Sequence, residues 1–147
     1  EDGHTVDDMV DQLSHLFVKR KGVLLPGRWQ PLHVGHEWLI QQELDQGKRV
    51  IVGIRDTPVS EKDPYSALLR KRMIEYRYVD EDVEAWIMPD IEAVSYGRKV
   101  GYEVREAQDI PAEVFEVSAT GVRGGNRANV SERVMDFMIS EGIWDGE

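Results

Sequence analysis

Two histidines, His33 and His36, stand three residues apart behind a run of turn-forming residues. On a helix that spacing brings both imidazoles to one side. Pro26 and Gly27 let the backbone turn sharply, and Pro31 stiffens the turn. Gly35 has no side chain, so an anion can approach the backbone closely. A helix beginning here offers unpaired N–H groups and the positive end of its dipole. The chemistry expected of such a corner is phosphate binding. The same histidine spacing suits a metal pair. Cysteine is absent, however, and the other two histidines, His4 and His15, fall in a separate segment. No protein metal ligand is therefore expected.

The elements around the corner follow from hydropathy spacing. Gly22 to Leu25 reads as an apolar strand ended by Pro26 and Gly27. A helix starts near Val34 or Gly35 and runs to about Gln46, with Gly47 as its C-terminal cap. Lys48 to Ile54 is a second buried strand, and Ser66 to about Tyr78 is helical. Val83 to Met88 is a third strand, and Val114 to Val117 a fourth. Two short helices follow, Thr120 to Arg127 and Ser131 to Ser140. Tyr76, Tyr78 and Trp86 read as packing residues. The alternation predicts an α/β fold with a parallel sheet and helices on both faces. In such sheets ligands bind beyond the carboxyl ends of the strands, where Gly27 to His36 falls.

Residues 5 to 17 stand outside this pattern. Val6, Met9, Val10, Leu13, Leu16 and Phe17 recur at helical spacing. The organisation expected is an N-terminal helix and linker over residues 1–20, followed by one domain over 21–147. Packing on the domain is the first expectation for that helix. A dimer contact and the tail of an upstream domain are the alternatives.

Composition narrows the class. The chain has 147 residues, enough for one domain with its own core. Acidic residues outnumber basic ones by 28 to 18, a net charge of −10, which disfavours a general nucleic-acid binder. There is no cysteine, which excludes a disulfide framework, a zinc–thiolate site and a cysteine nucleophile. Its absence fits a cytoplasmic setting. The longest apolar runs are a few residues, so no membrane span is expected. No G-x-G-x-x-G follows a strand, which disfavours a dinucleotide-binding dehydrogenase.

The segment Gly27-Arg28-Trp29-Gln30-Pro31-Leu32-His33-Val34-Gly35-His36 resembles the H-x-G-H nucleotidylyltransferase superfamily. Its form is closest to the G-R-F-Q-P-x-H-x-G-H of archaeal-type nicotinamide-mononucleotide adenylyltransferases and related phage and bacterial modules. Trp29 stands where Phe is usual. Pro64 to Arg70 resembles that group's P-F-T-A-x-x-R segment. Val117-Ser118-Ala119-Thr120-Gly121-Val122-Arg123 resembles its I-S-S-T-x-x-R segment, with Ala119 in place of the second Ser.

The resemblance implies a Rossmann-like, doubly wound parallel sheet of the nucleotidylyltransferase type. It implies transfer of a nucleotidyl group from an NTP to a small phosphorylated acceptor, with release of pyrophosphate. ATP is the favoured donor, because the R-T-x-G-I-S-T-T string of cytidylyltransferases is missing; CTP is the alternative. A non-catalytic nucleotide-binding sensor is a further alternative, motivated by Ala119. The catalytic residues implied are His33, His36 and Arg123. Nucleotide binding falls to Gly27, Arg28, Trp29, Gln30, Gly35, Ser118 and Thr120. Arg70, and Arg98 and Lys99 of the segment Tyr96 to Tyr102, are candidates for the acceptor. Magnesium would come with the NTP. Homo-oligomerisation and fusion to a small kinase resembling adenylylsulfate kinases are two contexts that suit the outlying helix.

Overall fold

In the computed structural model, residues 21–95, 97, 98, 101 and 103–146 are described here, without the side chain of Phe115. The expected N-terminal helix, Lys99, and Tyr96 and Tyr102 lie outside these residues.

Three strands form a parallel sheet in the order β1 (Gly22–Gly27), β2 (Arg49–Asp56), β3 (Val83–Pro89). Leu24 pairs in register with Ile51, and Ile51 with Glu84. Each crossover carries a helix, α1 (Val34–Asp45) after β1 and α2 (Ala67–Arg77) after β2. This is the usual way to return a parallel strand to its sheet. Val50, Val52 and Ile54 of the central strand are fully buried, as are Ile40 of α1 and Met73 of α2. Period-2 alternation therefore directs one β2 face into the core.

Local chemistry sets the element ends. Ser66 caps α2 by accepting from the Leu69 N–H at 3.2 Å. Gly47, with φ of +73°, follows the end of α1 in a conformation that favours glycine. The last helix, α5 (Glu132–Ser140), starts at a Ser131 cap and packs on α2. Val134, Phe137 and Met138 from α5 join the core.

Two expected elements differ. Val114 to Val117 is not a strand; the chain forms the short helix α3 (Ala112–Phe115) and then a loop. Pro111 directly precedes it, and a fixed proline φ preorganises a helical start. A four-residue apolar run is too short for periodicity to separate helix from strand. The expected helix from Thr120 to Arg127 is instead α4 (Ala119–Arg123) and a 3₁₀ turn at Arg127–Asn129. Gly124 and Gly125 divide them, and Gly125 has a φ of +128°. Among the described residues the sheet thus keeps one direction of strand order. No helix there is long and apolar enough to cross a membrane.

Two of the three aromatics expected to pack are only about half buried, and Tyr76 sets its ring against Phe137 at a centroid distance of 5.8 Å. Tyr78 is buried, but Tyr76 is 46% and Trp86 48% exposed.

Candidate functional site

The turn after β1 delivers His33 to the start of α1. His33 Nδ1 accepts from the Gly35 and His36 N–H groups, at 3.1 and 3.3 Å. His36 Nδ1 accepts in return from the His33 N–H at 3.2 Å. This is a reciprocal capping box made from two imidazoles. It differs from the sequence expectation, in which the helix N–H groups stayed open for an anion. Gly35 is accordingly required for a different neighbour. A Cβ there would stand 2.9 Å from the His33 ring.

The box fixes the protonation state of both rings. A neutral imidazole nitrogen that accepts carries no proton, so each ring holds its proton on Nε2. Burial pushes the His33 pKa down to about 4. His36 is held well below the usual histidine value, first by burial and then by charge repulsion from His33. Neutral rings can also stack closely, and their centroids lie 3.7 Å apart. At neutral pH each histidine is therefore an uncharged donor through Nε2–H.

Trp29 backs this pair. Its ring is tilted against His36 at a centroid distance of 4.5 Å, and its Nε1–H donates to the Gly53 carbonyl at 3.1 Å. The residue has a φ of +57°, unusual for a side chain of this size. A Cβ on Gly27 would lie 3.1 Å from the Trp29 indole, so glycine there makes room for the ring.

Gln30 is buried and spends its amide on the next loop. It donates to the Tyr65 carbonyl at 3.1 Å and accepts from the Tyr65 N–H at 3.0 Å. Its own carbonyl accepts from Arg123. That contact ties the β1–α1 turn to α4.

An open cavity lies at this junction. Arg28, Lys62 and Arg123 line it with three cations, against the single carboxylate of Asp63. Trp29, Gln30 and His36 form its β1–α1 side; Ala119 and Thr120 line it from α4. Arg28 and Asp63 approach to 4.0 Å. A cationic cavity in a chain of net charge −10 is a local field suited to a polyanion.

Several expected site residues stand outside the lining. Ser118 caps α4, accepting from the Gly121 N–H at 3.0 Å. His33 serves as cap and stacks behind His36. Gly27 and Gly35 act through the space they leave. Arg70 is fully buried and cannot meet an acceptor. Its guanidinium donates to four backbone carbonyls, those of Arg28, Arg55, Tyr65 and Ser66. Arg98 is exposed in a loop and does not line the cavity.

Lys62 and Asp63 escaped the sequence reading. Their signal was position alone: they occupy the loop beyond the carboxyl end of β2, just ahead of Pro64. Among the described residues no group of three histidines or acids could hold a metal.

No protein-family model matches the chain, and no curated protein matches it.

Proposed function

We propose that this chain is a nucleotidylyltransferase that moves AMP from ATP to a small phosphorylated acceptor. The observation that carries the proposal is the cavity shared by His36 and Arg123 with Arg28, Lys62 and Thr120. Two sequence segments with one chemical theme, far apart in the chain, meet there through the Arg123–Gln30 contact. On this reading the sheet belongs to a Rossmann-like, doubly wound architecture with an added N-terminal helix.

The reaction needs few groups. A phosphate oxygen of the acceptor attacks the α-phosphorus of the NTP. The bond from that phosphorus to the bridging oxygen breaks, and pyrophosphate leaves with the electron pair. The acceptor phosphate is already ionised at neutral pH, so no strong base is required. His36 donates Nε2–H to an α-phosphate oxygen, with a proton that its capping bond keeps in place. Arg123, Lys62 and Arg28 neutralise the triphosphate, and Thr120 adds a hydroxyl. Arg123 commits one of its five N–H donors to Gln30 and keeps the rest. Magnesium bound to the NTP would supply further charge neutralisation. It would be held mainly by phosphate oxygens and water, with Asp63 the one carboxylate at the cavity able to accept from that water.

The test is pyrophosphate release from each NTP, with magnesium and a panel of phosphorylated acceptors. ATP is expected to support turnover, and His36→Ala to lower the rate about 10²–10³-fold with less effect on nucleotide affinity. A folded sample that binds nucleotide but releases no pyrophosphate with any acceptor points instead to a nucleotide sensor.

A further inference from the structure

Trp29 stands in an unfavourable backbone conformation. A φ of +57° suits glycine and strains a side chain of this size. Such strain persists only where the surroundings hold the residue in place. Three contacts do so. The indole lies against Gly27, where a Cβ would come within 3.1 Å of its Cε2. Its Nε1–H donates to the Gly53 carbonyl of β2 at 3.1 Å. Its ring meets the His36 imidazole at a centroid distance of 4.5 Å and an angle of 56°. The residue is 3% exposed, so nearly all of its ring faces these and other protein neighbours.

We propose that Trp29 is a positioning residue, which fixes the His36 imidazole in the orientation in which it meets the cavity. The inference rests on the reading of His36 as the donor to the α-phosphate. The other holds on that ring are incomplete. His36 Nδ1 accepts from the His33 N–H at 3.2 Å, at the long end of the hydrogen-bond range. The His33 ring stacks on it at 3.7 Å, nearly parallel at 12°, and parallel rings can still slide and turn in their own planes. A second ring tilted by 56° opposes that motion. The Gly53 bond ties the indole to β2, so the imidazole takes its orientation from the sheet as well as from its own helix. A donor fixed before the reaction stabilises developing charge without reorganising, and a displacement of about 1 Å lowers a rate roughly 10²-fold.

The test separates positioning from filling of the core. In the full chain with isotope-labelled histidine, long-range proton–nitrogen NMR correlation reads the protonation of each ring nitrogen, and His36→Gln identifies the His36 signals. The wild-type protein is expected to show His36 protonated on Nε2 alone at neutral pH. Trp29→Leu should move both His36 nitrogens toward the averaged values of a free imidazole, while His33 keeps its capping pattern. It should also lower kcat for pyrophosphate release about ten- to a hundredfold, with a smaller change in KM for ATP. Trp29→Phe, which restores a ring without the Nε1–H bond, should recover part of both. Unchanged His36 nitrogens in folded Trp29→Leu overturn the proposal. So does loss of the pattern at His33 and His36 together, which marks a merely structural role. An unchanged kcat beside altered His36 nitrogens overturns it too. Circular dichroism establishes folding of each variant. If Trp29→Leu does not fold, Trp29→Phe decides alone: a partial shift of the His36 nitrogens supports the proposal, and signals identical to wild type overturn it. A protein that releases no pyrophosphate still gives the nitrogen signals, so failure of the transferase reading is told apart from failure of this one.

Discussion

The Arg70 guanidinium donates through Nη1 to the Arg28 carbonyl at 2.7 Å. The same nitrogen reaches the Arg55 carbonyl at 2.8 Å, and Nε reaches Tyr65 and Ser66. One buried side chain thus joins the loop after β1, the end of β2 and the start of α2. Arg70→Met is expected to lower stability by about 3 kcal/mol or more, because buried carbonyls lose their donors. Arg70→Lys should recover part of this, since an ammonium cannot reproduce the planar fork. Urea denaturation measures both. A loss below about 1 kcal/mol for Arg70→Met would contradict the clamp.

The imidazole capping box predicts a pH effect of definite sign. His33 has a folded pKa of about 4, below the ordinary value of 6.5. Its contribution to stability is fully present above about pH 6.5. It declines as pH falls from there toward 4, because the unfolded chain takes up a proton that the folded ring resists. His36 contributes in the same direction. His33→Asn keeps a capping oxygen but has no titrating ring. The stability difference between wild type and His33→Asn should therefore shift in favour of the variant as pH is lowered from 7.5 to 4.5. A constant difference across that range would remove the ring from the account. Gly35→Ala, which pushes on the His33 ring, should destabilise the protein by about 1–2 kcal/mol.

Lys62 and Asp63 are neighbours in sequence with opposite charges at one cavity. If a triphosphate binds there, Lys62→Ala should weaken its binding about tenfold at low salt, or about 1.4 kcal/mol. Added salt should shrink that effect. Asp63→Ala should strengthen binding, since a like charge is removed. Isothermal titration with magnesium-free ATP gives both signs. The same sign for the two variants would mean that the cavity does not hold the anion.

Ala119 lines the cavity beside Thr120. Ala119→Ser adds a second hydroxyl beside that of Thr120. A several-fold lower Kd for ATP is expected, worth about 1 kcal/mol for one added hydrogen bond. An unchanged Kd, with the fold intact, would show that this hydroxyl meets no phosphate.

Much of the scaffold could be read from residue order. The three strands and their crossover helices follow from hydropathy spacing, Ser66, Ser131 and the glycines, all of which act over a few neighbouring residues. The cavity-lining residues His36, Arg123 and Thr120 stand in short segments that could be singled out, the last two through the resemblance of Val117 to Arg123 alone. Tertiary structure decided what each side chain does. Arg70 looks like a free cation in sequence and becomes a buried clamp, because loops from three elements converge on it. His33 and Gly35 pass from an anion corner to a capping pair, because the ring and the helix N–H groups satisfy each other first. Lys62 and Asp63 carry no motif, and only the folding of their loop brings them to Arg123. Sequence fixes local preference over a turn or two; the meeting of distant loops, and so the shape and charge of the cavity, depends on packing that no local pattern encodes.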